Sequence, residues 1–316
     1  MRETFLVTGA LGCIGAWVAL TLVEEGVPVV GYDLGDDRRR LELIMSSEQL
    51  ERVTLLRGDV TDLDRLGRVL DEREVTHVIH LAALLVPLTR ANPPLGAAVN
   101  VVGATNVFEA VKRRRERVRG LAYASSAAVY DVVDDEATRS EDALGHPVTL
   151  YGVHKQANEE TARVYWLEDR LPSIGLRPYV VYGPGRDQGM TAGPTLAMEA
   201  AARGKGYTIP WSSRCTFTLA RDAARAFVDA ARASASIEGA PVYNVPGANV
   251  ATAEVVAAIE AAAPAAAGMI DVEDATLPFP AKFATGGFPM PETPLAEGVR
   301  ETVEFFRTRI APPSEP

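Results

Sequence analysis

The chain has 316 residues, 47% of them apolar and 23% charged, and its 42 Asp and Glu outnumber its 32 Lys and Arg to leave a formal charge of −10. These proportions belong to a globular chain that can bury a sizeable core, and they exclude disordered and fibrous classes. The acidic excess opposes a phosphate backbone, so nucleic acid is not an expected partner.

Residues 4–23 carry no charge and follow Arg2, so hydropathy alone would allow a leader or a membrane span. Gly9, Gly12 and Gly15 recur every three residues inside the run, however, and a second apolar run follows at 27–32. A strand over 4–8, a glycine turn and a buried helix over 14–25 account for it better, and no membrane segment is expected. Further strands are predicted over 28–32, 53–56, 77–81, 120–124 and 173–181, with helices over 62–71, 95–114 and 151–168. Alternation of this kind predicts an α/β chain built on a Rossmann-type, doubly wound parallel sheet that takes ligands outside the carboxyl ends of its strands.

After Gly183 the texture changes to Gly- and Pro-punctuated segments between Ala-rich helices. Residues 1–182 are therefore assigned to the sheet-bearing domain, with 215–246 returning to it, and 183–214 and 247–316 to a smaller C-terminal lobe. The run from Lys112 to Arg117 sits where a helix should end, where cations complement the macrodipole. Cys13 and Cys215 form no CxxC pair, which leaves no disulfide framework or cysteine zinc site and makes a reducing cytoplasm the expected compartment. His77, His80, His146 and His154 lack metal-ligand spacing, and no metal is expected.

Two constellations carry chemistry. Thr8-Gly9-Ala10-Leu11-Gly12-Cys13-Ile14-Gly15 joins the first strand to the first helix, where glycines allow a tight turn and close approach of backbone N–H groups to a pyrophosphate. Asp33 ends the second strand 18 residues after Gly15, placed to accept both hydroxyls of an adenosine ribose. Asp59 and Val60 follow the third strand, and Leu81, Ala82 and Ala83 the fourth, so small or polar residues line successive strand ends. Together they predict a dinucleotide groove.

The second constellation is Tyr151-Gly152-Val153-His154-Lys155, preceded by Ser125-Ser126 at the end of the fifth strand. Tyr and Lys four apart share a helix face, about 6 Å apart along the axis. Burial alone raises a phenol above its ordinary pKa of about 10, so Lys155 must outweigh desolvation if Tyr151 is to act as a base near neutrality.

With Asn100 in Val99-Asn100-Val101-Val102-Gly103, and Val181-Tyr182-Gly183-Pro184, these motifs occur in the order seen in extended short-chain dehydrogenases/reductases. The chain resembles the NAD-dependent epimerase/dehydratase family, nearest in pattern to UDP-glucose 4-epimerases, and the likeness runs through Thr293-Pro294-Leu295-Ala296-Glu297-Gly298. The resemblance implies NAD as cofactor, Tyr151 as catalytic base or acid, Lys155 at the nicotinamide ribose, Ser126 on the substrate oxygen, and a homodimer. It adds Asn100, Ala124, Pro178 and Tyr179 to the cofactor contacts, and Ser125 to the substrate side.

Departures bear on substrate. Cys13 stands where the family often has an aromatic and Asp131 where Gly is usual. Ser126-Ala127-Ala128 lacks the Thr-Asp-Glu of the dehydratases. Val180 replaces an Asn, and Cys215 and Thr216 an Arg-Asp pair, that in nucleotide-sugar epimerases meet the substrate. A diphosphate bound without a bidentate Arg forgoes strong hydrogen bonds, whereas Arg186 is available for a small carboxylate or polyol. The favoured expectation is thus a dehydrogenase of a free sugar or sugar acid, with a nucleotide-sugar 4-epimerase as alternative and a catalytically silent dinucleotide sensor as the alternative of another class.

Overall fold

The structure, a computed structural model, describes residues 3–130, 138–142 and 145–309. In chain order the strands are β1 (Phe5–Thr8), β2 (Val29–Asp33), β3 (Val53–Arg57), β4 (His77–His80), β5 (Gly120–Ala124), β6 (Thr138–Arg139), β7 (Ile174–Arg177), β8 (Val180–Tyr182), β9 (Tyr207–Ile209), β10 (Arg214–Leu219), β11 (Val242–Asn244), β12 (Ala248–Ala251), β13 (Ile270–Val272) and β14 (Lys282–Phe283). Seven form one sheet in the order β11-β7-β5-β4-β1-β2-β3, parallel throughout.

Side chains alternate between the faces of a strand. Phe5 and Val7 therefore join one apolar cluster with the helices Cys13–Glu24 and Ala220–Ser234, and Leu6 joins the opposite cluster with Leu63–Glu72 and Gly103–Lys112. With both faces covered, β1, β4 and β7 are buried along their whole length, as central strands of a parallel sheet must be. This is the Rossmann-type, doubly wound sheet the alternation predicts. The uncharged run at 4–23 forms its central strand and an interior helix, and no helix among the described residues is long and apolar enough to cross a membrane.

The strand order reverses at β1, which has β2 on one side and β4 on the other. The carboxyl ends of β1 and β4 thus open a crevice, the place where such sheets take ligands.

Two expected elements are broken. The strand over 173–181 splits at Pro178, which has no N–H to give to a ladder. Its second half, β8, leaves the main sheet and pairs with β10 in a three-stranded sheet, β12-β10-β8, that carries its own apolar cluster. The helix over 95–114 is two helices, Pro93–Ala97 and Gly103–Lys112, joined by a wide π turn at Ala98–Val102. The basic run beyond it is held by acids: Arg114 and Arg117 on Asp71 at 2.7 and 2.6 Å, Lys112 on Asp169 at 2.9 Å, Arg113 on Glu109 at 2.8 Å.

Candidate active site

The turn after β1 requires its glycines. Gly9 has φ +72, and a Cβ there would stand 2.7 Å from the Ala82 backbone nitrogen; one on Gly12 would stand 3.1 Å from the Gly9 carbonyl. Gly9 and Gly15 therefore bring strand, turn and helix into backbone contact, and the Cys13–Glu24 helix starts at Gly12 with no side-chain cap. Its first N–H groups are left for an external acceptor.

A cleft of about 320 Å³ opens here. It gathers Gly9, Gly12, Cys13, Ile14 and Gly15 from the turn, Leu81 and Ala83 after β4, Ala124, Ser125 and Ser126 after β5, Tyr151 and Lys155 from the helix Leu150–Asp169, Pro178 and Tyr179 from the sheet break, and Arg186 from the following loop. Segments more than 170 residues apart in sequence meet in it.

Asp33, Asp59, Val60, Ala82 and Asn100 are not on its wall. Asp33 closes β2, its Oδ2 accepting from Leu11 N at 3.0 Å and its Oδ1 from Gly35 N at 3.3 Å. Asp59 accepts from Thr61 N at 2.8 Å. Val60 turns its side chain into the core. Asn100 lies behind the cleft, 1% exposed. Its amide accepts from Leu84 N at 2.7 Å and donates to Leu84 O at 2.9 Å, so it fixes the segment after β4. The π turn leaves the Asn100 carbonyl free to accept from Asn158 at 2.9 Å.

Thr149 caps the helix of Tyr151, its Oγ1 accepting from Gly152 N at 3.0 Å. Lys155 is 2% exposed, its Nζ donating to the Ala124 carbonyl at 2.8 Å and lying 5.5 Å from the Tyr151 ring centroid. Burial lowers its pKa to about 8, against an upward pull from Glu159. Burial also pushes Tyr151 up to about 12, while a hydrogen bond with Ser126 and the Arg186 charge pull it down. Desolvation thus wins over the charges, contrary to the balance required of Lys155 above. Ser126 also accepts from Ala128 N at 3.1 Å.

Val180 and Cys215 are corrected. Both are fully buried in the small sheet's apolar cluster and neither lines the cleft. Val180 lies on β8, an edge strand of the small sheet, opposite Phe217 on the central β10, and Cys215 pairs with Val250. Ser125 lines the cleft, but its hydroxyl is spent on Glu159. Asp131 lies outside the described residues. Sequence reasoning missed Arg40, Leu85, Asp187 and Phe279 on the wall; Arg40 had a signal, its place in a basic triplet just past β2, and Phe279 had none.

A glycine turn at the switch point, a carboxylate closing β2, and Ser, Tyr and Lys converging on one cleft define a dinucleotide-dependent enzyme of the short-chain dehydrogenase type. The NAD dependent epimerase/dehydratase family model matches residues 5–246, and the chain belongs to that family. It is 32% identical over 317 residues to the UDP-glucose 4-epimerase of Mycolicibacterium smegmatis, covering 96% of this chain and 98% of that one. It is 33% identical over 183 residues to UDP-glucuronate 4-epimerase 6 of Arabidopsis thaliana, a match that spans only 40% of that protein. Among solved structures, the Thermus thermophilus UDP-glucose 4-epimerase complex with NAD superposes with a TM-score of 0.76 at 28% identity, over 98% of this chain and 100% of that one. A Clostridium difficile L-threonine dehydrogenase superposes at 0.83 with 20% identity over 98% of each chain, a likeness of fold. The enzyme is NAD-dependent, as its family is.

Proposed function

We propose that the enzyme inverts a secondary hydroxyl of a sugar-like substrate, as an epimerase that keeps its cofactor. The observation that carries this is the convergence of Ser126, Tyr151 and Lys155 beside the glycine turn, supported by similarity along nearly the whole chain to a UDP-glucose 4-epimerase. Gly9, Gly12, Cys13, Ile14 and Gly15 would hold the NAD pyrophosphate, Asp33 the adenosine ribose and Lys155 the nicotinamide ribose. The strand ends at Asp59 and Ala82 would flank the adenine. When bound, NAD supplies a hydride acceptor that becomes a donor once reduced. Tyr151 takes the proton of the substrate hydroxyl and later returns it, and Ser126 holds the same oxygen through its hydroxyl. A positively charged nicotinamide beside the phenol would oppose the desolvation that keeps Tyr151 protonated.

A second reading is a dehydrogenase of a free sugar or sugar acid. It is favoured by the apolar, buried state of Val180 and Cys215, which leaves a nucleotide diphosphate without the partners expected for it. Incubating the enzyme with NAD and a panel of nucleotide sugars, free sugars, sugar acids and lactones separates the two. Inverted product without free NADH supports the epimerase. NADH accumulating with a free sugar or acid overturns it in favour of the second reading.

Cofactor binding is assigned to the seven-stranded half and substrate selection to the lobe around β8, β10 and β12. A homodimer fits an exposed apolar stripe on the helix Leu150–Asp169, formed by Leu150, Val153, Val164 and Leu167 at helical spacing, with Leu95 and Val102 exposed on the neighbouring helical segment. Sedimentation of Val153→Glu/Leu167→Glu as a monomer, against a dimeric parent, would support it; a monomeric parent would refute it.

A further inference from the structure

The loop after Tyr182 crosses the mouth of the cleft and is tied down from the opposite side. It turns on Gly183, Gly185 and Gly189, with φ of 124, 87 and 96. Trp17 Nε1, on the first helix, donates to the Pro184 carbonyl at 2.8 Å. Arg40 spans the gap: its Nε and Nη2 lie 2.8 and 2.7 Å from Asp187 Oδ1, and its Nη1 donates to the Leu11 carbonyl of the glycine turn at 2.9 Å. Arg39 adds a contact to Asp187 Oδ2 at 3.2 Å. The Arg40 stem runs over Gly185, where a Cβ would stand 3.8 Å from it.

Arg186 turns the other way, into the cleft. Its Nη2 donates to Thr191 Oγ1 at 2.9 Å, its guanidinium rests on Gly189, where a Cβ would stand 3.2 Å from Nη2, and its Nε is buried without a partner. Arg40, Arg186 and Asp187 line the same cleft as Cys13, the first residue of the Cys13–Glu24 helix. Two guanidiniums and one carboxylate therefore share that cleft with a helix N-terminus that already offers free N–H groups. The surplus positive charge and the unused Nε call for an oxyanion at that point. Arg186 shares the cleft with Gly12, Cys13 and Gly15 of the glycine turn as well as with Leu85.

We propose that Arg40 and Arg186, braced by Asp187, form a clasp over the cofactor diphosphate that closes the loop 183–191 on the bound dinucleotide and slows its release. The inference rests on the placement of NAD along the glycine turn given above. Slow release is what an epimerase requires, because the hydride must return to the same substrate before the reduced cofactor departs.

The test is binding, not turnover. NADH affinity is measured by fluorescence titration, that of ADP and adenosine by displacement of NADH, and NADH dissociation by stopped flow. Arg186→Gln should weaken NADH and ADP tenfold or more while leaving adenosine within twofold, Arg186→Lys should recover part of the loss, and Asp187→Asn should speed NADH release at least tenfold. Melting temperatures check that the variants fold. ADP binding unchanged in Arg186→Gln, with a raised KM for an acidic substrate, would overturn the clasp and move Arg186 to the substrate. An equal loss of adenosine would overturn it too, as collapse of the whole groove. A native enzyme that binds neither NADH nor ADP would bring down the cofactor placement itself.

Discussion

Glu159 and Arg177 meet through two parallel hydrogen bonds, Nε to Oε1 and Nη2 to Oε2, both 2.7 Å, with side chains only 10% and 6% exposed. Glu159 lies four residues beyond Lys155 on the same helix, and Arg177 ends β7. Arg177 Nη1 also donates to the Tyr130 hydroxyl at 2.6 Å and the Glu141 carbonyl at 2.7 Å, while Ser125 donates to Glu159. The pair thus joins the helix of Tyr151 and Lys155 to the point where the chain leaves the main sheet. Breaking a buried pair leaves an uncompensated charge, so Arg177→Met should cost about 3–5 kcal/mol. Glu159→Leu/Arg177→Met should recover most of it. Urea melts of the three proteins read this, and a double variant as weak as the single would refute it.

Tyr151→Phe should lower turnover by about 10²–10⁴-fold, the worth of a positioned proton-transfer group, with NADH affinity nearly unchanged. In the proposed reaction the phenol moves a proton, and the dinucleotide would be held mainly by the glycine turn, Asp33 and Lys155. Residual activity above a few per cent would assign the proton to Ser126 or water.

Lys155 makes stability depend on pH. Its pKa falls from 10.5 to about 8 on burial, so between those values the unfolded chain holds a proton that the folded chain has released. Stability should therefore rise with pH from 8 to 10.5, and below 8 the burial penalty is felt in full, about 2–4 kcal/mol. Lys155→Met should remove this slope, be at least as stable as the parent at pH 7, and fail to turn over. Urea midpoints at pH 7, 8, 9 and 10 give the answer; identical slopes in both proteins would contradict it.

NAD should bind more tightly than NADP. A 2′-phosphate would face the Asp33 carboxylate, and two like charges about 4 Å apart cost on the order of 1–4 kcal/mol. Arg39 and Arg40, near enough in sequence to soften that repulsion, are committed to Asp187 instead. Calorimetry should give an NAD preference that narrows in Asp33→Ser; equal affinities in the parent would refute the assignment.

The glycine turn and the placing of Tyr151 beside Lys155 were legible because each motif fixes its own local geometry: a turn that only glycine can make, and a helix face that the two side chains share. The break at Pro178 was visible as a residue, yet the apolar run around it reads as one strand, and only pairing with β10 shows which sheet each half joins. Asn100 was found, but not its task, since a π turn has no sequence period. Val180 and Cys215 were placed by position in a motif, which carries no information about which way a strand side chain faces. Arg40 and Asp187 are 147 residues apart, and no local signal links them.

Pro178 has one more consequence. The chain passes to the small sheet there, comes back through the helix Ala220–Ser234 and β11, and leaves again at Gly247, where any side chain would strike the Phe217 carbonyl. The lobe around the small sheet is thus not an appendage that one splice could graft between relatives. A chimera would need three junctions cut together: one at Pro178 alone would carry the helix Ala220–Ser234 and β11 away from the main sheet, and one at either later junction would part β12 from β10. The economical way to alter the cleft in this scaffold is replacement of side chains in place on its wall, as at Phe279, with the threading left intact.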